Sequence, residues 1–439
     1  MKRLGKPAAF FLFISSPFIL FIPKTQAAQQ TRVQHIPDPD REVKLLLVQG
    51  QAALDKKDYA GAADIFRKYL AQKPDDAYAH FQLGYACTAL QQIEEAKDEY
   101  RKAVSLDPGM APAHLNLGLI LLDKDPAAAV EPLRKAAELL PDQARPRFLL
   151  GWALERTNHL SEAIKEYEQA EKLDARNFDI HFSLARALLA SNRVSEAEAE
   201  FRSALAIKPD SSPAHLGLAE SLIAQQKTEP AAEELSKYLS QHPEDSGSRV
   251  QLASVFFDAG KMDEALAQLD QAAAAGPETL AALKLRAEIA MRQKKYPDAA
   301  AALQKALTLA PHDVDLHARL GHVLLESRDY QGALRELTEA LRVNPQDSEV
   351  LRDWMAAQYL SGNYDAALSA LDLLAKRETP TDRTWFIRAT CYDKLGRKED
   401  AVDAYQKFLS LHAGTNDDDY FAATARVHTL MRELKEKKK

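Results

Sequence analysis

An all-α fold of stacked helical hairpins is predicted for this chain by three features of its sequence. Proline recurs at close to every 34 residues, at Pro74, Pro108, Pro141, Pro209, Pro243, Pro277, Pro311, Pro345 and Pro380, with Ala175 standing in the one double gap. Alanine recurs at Ala62, Ala96, Ala129, Ala163, Ala197, Ala231, Ala265, Ala299, Ala333, Ala367 and Ala401, in steps of 34 with a single 33. Alanine and leucine dominate the composition, and both favour helix. Glycine (16) and proline (21) are few, which argues against disorder over most of the length. A repeat of this kind grows without one enlarging core, so 439 residues need not divide into several globular domains.

Each 34-residue unit holds two apolar-periodic stretches separated by turn residues such as Ser191-Asn192, Gly260-Lys261 or Ser361-Gly362-Asn363, which reads as a helical hairpin. Two more series give the packing. Small residues stand at Gly50, Gly84, Gly118, Gly151, Ala185, Ala219, Ala253, Ala287, Gly321 and Ala389 on the first helices. Bulky ones stand at Phe66, Tyr100, Leu133, Tyr167, Phe201, Leu235, Leu269, Leu303, Leu337, Leu371 and Tyr405 on the second. Helices that cross closely need a small residue at the contact, and a bulky one a turn later fills the gap. Proline then stops the second helix, and Asp or Ser after it caps the next, as in Pro209-Asp210-Ser211-Ser212-Pro213.

The pattern resembles the tetratricopeptide repeat family, whose signature is carried by Leu83-Gly84, Ala96, Tyr100, Ala103 and Pro108, and again by Leu320-Gly321, Ala333, Leu337, Ala340 and Pro345. The resemblance implies a right-handed α-solenoid of about eleven hairpins over residues 41–411. Three departures are expected to matter. The third repeat is one residue short at Asp123-Lys124-Asp125-Pro126. Met355 replaces the small residue of the tenth and should force its helices apart unless neighbours adjust. The eleventh lacks its final proline and runs into Leu411-His412-Ala413-Gly414, where local irregularity is expected. Residues 412–439 then supply a capping helix, over 417–437, and a basic tail. Asp417, Asp418 and Asp419 suit its positive end, Lys435, Lys437 and Lys438 its negative end, and Tyr420, Thr424, Val427, Met431 and Leu434 make its apolar stripe.

At the amino terminus, Lys2, Arg3 and Lys6 precede an apolar run from Ala8 to Ile22, and Thr25-Gln26-Ala27 follows. This reads as a signal peptide over 1–27, cleaved after Ala27 or Ala28, with 28–40 a linker and Asp40 a helix cap. The run is too short to span a bilayer comfortably and Pro17 interrupts it, so a retained anchor is the weaker reading and no stable membrane span is expected after cleavage. The location implied is the periplasm or cell exterior. Formal net charge is −7. Losing Lys2, Arg3, Lys6 and Lys24 with the leader leaves −11, a balance that repels nucleic acid. Cys87 and Cys391 lie some nine repeats apart, too far for a disulfide, and read as buried hydrophobes.

In this family, the resemblance implies, first helices line a concave groove that holds a protein or peptide. Read onto this chain, the groove carries Tyr78, Phe81, Tyr85, Asn116, Leu119, Arg145, Phe148, Trp152, Phe182 and Arg186 in its early repeats. Aromatics beside arginines are typical interface anchors, though packing against neighbouring repeats accounts for them equally. Leu115 and Arg156 belong to the same stretch. Later the face turns charged, with Lys284, Glu288, Arg292, Asp315, Arg319, His322, Glu326, Glu349, Arg352 and Asp353. That is either a solvated surface of helical ion pairs or a polar subsite. The carboxylate clamp of some family members is absent, since Phe81, Tyr85 and Leu149 occupy its places beside Asn116.

Three functions compete at this stage. The first is a non-enzymatic protein- or peptide-binding scaffold using the groove. The second is a structural adaptor in an envelope assembly, such as polysaccharide or protein export, using convex faces or array ends. The third is an enzyme centred on His322 and Glu326, which a third polar group nearby would have to complete. No catalytic or nucleotide-binding motif stands in context, no cofactor is implied, and the repeats consume nearly the whole chain. His80, His114, His181, His215 and His317 recur at one repeat position, but on separate repeats about 10 Å apart. They read as half-buried packing residues rather than metal ligands, which must converge to about 2.0–2.1 Å on the ion. Oligomeric state is left open.

Overall fold

The computed structural model describes residues 41–412 and 418–437, and every regular element among them is a helix. The leader over 1–27, the linker over 28–40, Ala413-Gly414, Asp417 and Lys438 lie outside the described residues. The chain divides into two compact units, residues 1–234 and 235–439. In the first, helices pair as α1 (Arg41–Asp55) with α2 (Tyr59–Leu70), α3 (Ala77–Ala89) with α4 (Ile93–Leu106), and α5 (Ala111–Lys124) with α6 (Pro126–Leu139). Then come α7 (Ala144–Arg156) with α8 (Leu160–Leu173), α9 (Phe178–Ala190) with α10 (Val194–Ile207), and α11 (Ser212–Ala224) leading into α12 (Thr228–Gln241), within which the division falls. The second unit pairs α13 (Ser246–Asp258) with α14 (Met262–Ala275), α15 (Leu280–Arg292) with α16 (Tyr296–Leu309), and α17 (Val314–Glu326) with α18 (Tyr330–Val343). It continues with α19 (Ser348–Leu360) and α20 (Tyr364–Ala375), α21 (Asp382–Lys394) and α22 (Lys398–Leu411), and a last helix α23 (Asp418–Lys437). None is long and apolar enough to cross a membrane.

All eleven alanines of the 34-residue series are fully buried, at 0% exposure. Each sits where the second helix presses on its neighbours, and a larger side chain has nowhere to go. The bulky series is buried with them: Phe66, Tyr100, Leu133, Tyr167 and Phe201 are all at 0%. Truncating such an aromatic to alanine costs about 3–5 kcal/mol. The glycines answer these side chains. A Cβ at Gly84 would stand 2.9 Å from the Tyr100 ring, one at Gly118 2.5 Å from Leu133, and one at Gly151 2.7 Å from the Tyr167 ring. Repeat five has Ala185 instead, and there the Phe201 ring comes against Gly217 of the next hairpin, where a Cβ would meet it at 2.3 Å. The space is moved to the adjoining helix rather than lost.

The turn inside ten of the eleven hairpins contains one residue in the left-handed region. Lys57, Gln91, Asn158, Asn192, Gln226, Gly260, Lys294, Arg328, Gly362 and Gly396 all have φ between 56° and 83°. The third hairpin has no such residue, because its missing position is this one: Asp125 alone links α5 to α6 and caps α6 by accepting from Ala128 N. Asp76, Asp245, Asp313 and Asp347 cap first helices in the same way. Ser211 occupies the equivalent place but makes no capping bond, and Pro213 fills the first turn instead. Proline is not needed to end a second helix: α8 stops at Leu173 although Ala175 stands where proline falls.

Met355 is buried among Leu351, Ala367, Leu368, Ala370 and Leu371, so alanines on α20 make room for it. The irregularity expected where the eleventh repeat runs into Ala413-Gly414 lies outside the described residues; α22 itself is regular, with 14 residues. The terminal helix does cover the last hairpin, but with a stripe in a shifted phase. Ala423, Val427 and Leu430 are buried against α22 with Leu434 beside them, whereas Met431 lies at the exposed edge. Arg426 locks it down with a two-pronged bond to Asp393 at 2.6 and 2.8 Å, and Lys398 pairs with Glu433 at 2.8 Å. Cys87 and Cys391 are buried free thiols, and burial pushes them up to about 12 and about 11.

Candidate functional site

The site is built by the first helices, which lie side by side: α1 touches α3, α5 touches α7, α7 touches α9, and α17 touches α19. Polar links cross these contacts. Gln51 of α1 accepts from Tyr78 OH at 2.8 Å and from Gln82 Nε2 at 2.9 Å, both on α3. Arg156 of α7 donates to the Asp123 carbonyl at 3.1 Å. Arg186 of α9 donates to Glu155 of α7 at 3.0 Å.

The ten residues expected to line the early groove separate into two sets. Phe81, Tyr85, Asn116 and Phe182 are core rather than surface, at 2%, 9%, 1% and 6% exposure. Phe81 lies 5.9 Å from the Tyr100 ring, Tyr85 6.3 Å from Tyr59, and Phe182 is held between Phe178 and Phe201. Asn116 donates to Tyr100 OH at 3.4 Å, and its buried Oδ1 has no partner. For these four, packing displaces the ligand-binding expectation, because each first helix also buries the residues next to its small position. Tyr78, Leu119, Phe148, Trp152 and Arg186 are half-buried and Arg145 is exposed, so these six keep surface to offer. Phe148 and Trp152 are one turn apart on α7. Phe148 rests 5.8 Å from Tyr167, and the Arg186 guanidinium stands 5.9 Å from the Phe182 ring.

Sequence reasoning missed Glu155, which accepts both Arg186 and the hydroxyl of the buried Tyr167, the latter at 2.9 Å. Its signal was available: the same repeat position holds Leu122, Leu189 or Leu325, so a carboxylate there marks a polar function. Thr88, the equivalent residue two repeats earlier, likewise reaches Tyr100 OH, at 3.2 Å. A buried tyrosine hydroxyl needs such a partner, and phenylalanine or leucine at that position does not.

In the second unit the charged face pairs with itself. Lys284 reaches Asp313 at 2.9 Å, and Arg319 reaches Asp315 at 3.0 Å and Glu288 at 3.2 Å. Arg352 reaches Glu378 at 2.8 Å, and Arg292 stacks 4.1 Å over Phe257. These are exposed or half-exposed pairs, each contributing little. His322 does have a third polar group beside it, since its Nδ1 lies 2.8 Å from Asp353 Oδ2, while Glu326 takes a long bond from Tyr296 OH at 3.4 Å. Asp353 raises the His322 pKa, outweighing burial. A proton held on the imidazole suits an ion pair better than a general base. A shallow cavity of about 300 Å³ opens between α14, α15 and α16, lined by Leu266, Leu283, Arg286, Gln293 and Lys305.

The recurrent histidines are bonded residues. His80, His181, His215 and His317 each turn Nε2 to a backbone carbonyl six residues back and Nδ1 to a glutamate 19 residues on: Glu99, Glu200, Glu234 and Glu336. Arg249 makes the same reach to the Pro243 carbonyl and Gln268. Each clasp ties the incoming loop to both helices of its hairpin. His114 lacks it, because Pro132 stands where the glutamate falls and leaves Nδ1 without a partner.

Models of the tetratricopeptide repeat match residues 27–77, 47–111, 89–144, 148–212, 250–314 and 357–418, and a second model so described matches 196–247, 290–352 and 324–385. Protein CTR9 homolog of Arabidopsis thaliana is 35% identical over 91 residues, 21% of this chain and 8% of that protein. Protein O-mannosyl-transferase TMTC3 of Homo sapiens is 27% identical over 150 residues, 30% of this chain and 16% of that protein. The chain thus spans only a small part of the length of these curated relatives. Among solved structures, YrrB, a TPR protein with an unusual peptide-binding site, is 21% identical with a TM-score of 0.40, over 43% of this chain and 97% of YrrB. Yeast Tom70 is 14% identical with a TM-score of 0.34, over 91% of this chain and 97% of Tom70. With family models matching most of its length and eleven hairpins in register, this chain belongs to the tetratricopeptide repeat family.

Proposed function

We propose that this chain is a non-enzymatic scaffold that captures a protein or peptide segment along the first helices of its amino-terminal unit, working in the periplasm or at the cell exterior. The tetratricopeptide repeat is a scaffold suited to protein binding. The observation that carries the reading is the pair Phe148 and Trp152, two large aromatic side chains one turn apart that stay half-exposed where most neighbouring aromatics are buried. Tyr78, Leu119, Arg145 and Arg186 extend the same row. Aromatic anchors flanked by arginine make the few contacts that dominate binding energy. The basic start, apolar run and small residues before Ala28 support export.

Replacing Phe148 and Trp152 together with alanine is the test, read by affinity capture from envelope extract with mass spectrometry of retained proteins. The expected result is loss of the captured partner with an unchanged circular dichroism melt. Retention of the same partner by the double variant removes the assignment. A second reading, an adaptor that docks through an array end, draws on Leu45 and Val48 of α1, which stand 53% and 64% exposed. Capture that depends on these two residues and not on Phe148 and Trp152 would favour it.

A further inference from the structure

One of the histidine clasps differs from the others. Among the described residues, Glu171 of α8, His181 of α9 and Glu200 of α10 are the one group of three whose ligand atoms all lie within 4.8 Å of one another. His181 Nδ1 is 2.7 Å from Glu200 Oε2, and its Nε2 is 3.1 Å from the Ala175 carbonyl. Glu171 is the added member. The residue ten before the clasp histidine is Leu70 for His80, Leu205 for His215 and Leu307 for His317, and Leu239 stands ten before Arg249. Val104, Ala137, Ala273, Leu341 and Ala375 fill the same place in other repeats, so the position is apolar throughout, and only the repeat of His181 fills it with a carboxylate. Glu171 is half-buried there and makes no hydrogen bond or ion pair with the described residues. A half-buried carboxylate that makes no hydrogen bond and lies beside a second carboxylate costs desolvation and repulsion, and it replaces an apolar contact.

We propose that Glu171, His181 and Glu200 form a binding site for a divalent first-row transition cation, with Zn²⁺ as the probe. The chemistry of the donors fits. The Ala175 carbonyl accepts from Nε2–H, which leaves Nδ1, 2.7 Å from Glu200 Oε2, as the nitrogen free to ligate, as in orienting networks around ligating histidines. One imidazole nitrogen and two carboxylates suit a borderline cation, whereas Ca²⁺ and Mg²⁺ take all-oxygen shells. Bonds of about 2.0–2.2 Å to each donor require the Nδ1 and Oε2 atoms to open by roughly half an ångström from their hydrogen bond. The cation takes the place of the proton that the two atoms share, and that proton goes to solvent. Three protein ligands leave a fourth position for water or a partner's side chain.

The ligands come from three successive helices, so the cation clips the fourth hairpin to the fifth. A ligand that binds only the folded state raises the melting midpoint with its concentration.

The experiment is calorimetric titration of Zn²⁺ into the full chain without a histidine tag, with thermal melts alongside. Glu171→Leu is the main variant, since it restores the side chain that other repeats carry and should fold. Expected is one saturable equivalent in the parent chain, an affinity at least about tenfold weaker in the variant, and loss of the zinc-dependent rise in melting midpoint. Glu234→Gln, which breaks the neighbouring clasp, should leave the equivalent intact. Leu205→Glu, which copies the third ligand beside His215 and Glu234, should add a second equivalent. Absence of saturable binding, or binding that survives Glu171→Leu, overturns the proposal. The Phe148→Ala, Trp152→Ala variant should bind zinc as the parent does, so the site stands or falls independently of partner capture.

Discussion

At the residue scale, one repeat position shows how a partner decides the charge of a side chain. At His317, burial alone lowers the pKa, but the Glu336 carboxylate and the Pro311 carbonyl outweigh it and raise it. His181 behaves alike with Glu200. His114, facing Pro132, is lowered by burial. The sign follows: a raised histidine stabilises the fold fully below its unfolded value near ~6.5 and loses that contribution as pH rises through the folded value. His317→Gln should therefore lose most stability relative to the parent below pH ~6.5 and progressively less above it, which urea titrations across pH would measure. Pro132→Glu should supply the missing partner, raise the His114 pKa above its ordinary value in an NMR titration, and stabilise the chain by about 1–3 kcal/mol through the repaired helix. The histidine series was legible in the sequence, but its meaning was not, because each glutamate partner lies on the other helix of the hairpin. Glu99, Glu200, Glu234 and Glu336 step with the histidines, and pairing the two series would have found the clasp.

At the scale of the element, hairpin geometry rests on side chains that are hardly there. Gly151→Ala puts a methyl 2.7 Å from the Tyr167 ring and 3.2 Å from the Ala163 carbonyl oxygen. It should destabilise by about 1–3 kcal/mol, read from the shift in denaturant midpoint. The turns make the opposite prediction. Lys294 is held at φ 56°, where a Cβ is unfavourable, so Lys294→Gly should raise stability by roughly 1 kcal/mol. An unchanged or lower melting midpoint would contradict that reading. Period and composition made these elements legible because the alanine series repeats without a gap and the small-residue and proline series keep step with it. The terminal helix was legible as a helix but not in phase, since its central contact is Ala423, which an apolar stripe read from large side chains passes over. The end of α8 shows the same limit: Ala175 gave no stop signal, yet the helix ends on schedule, because the neighbouring hairpin sets the available length.

At the scale of the molecule, the fold was readable from one dimension of information, and the binding face only in part. A first helix presents one side to its own partner helix, another to the next hairpin, and the remainder outward. Sequence spacing does not separate the second from the third. That is why Phe81, Tyr85, Asn116 and Phe182 were grouped with Phe148 and Trp152, although they are core. What survives is a row of six residues on α3, α5, α7 and α9 of the first unit, together with a self-paired charged surface in the second. The central claim is that a partner lies on this row and not on the second helices. A photo-reactive amino acid placed at Trp152, compared with one at the exposed Glu131 of α6, tests it directly in intact cells. The account predicts a specific cross-linked protein from position 152 and none from position 131. Cross-links from position 131 alone would contradict it.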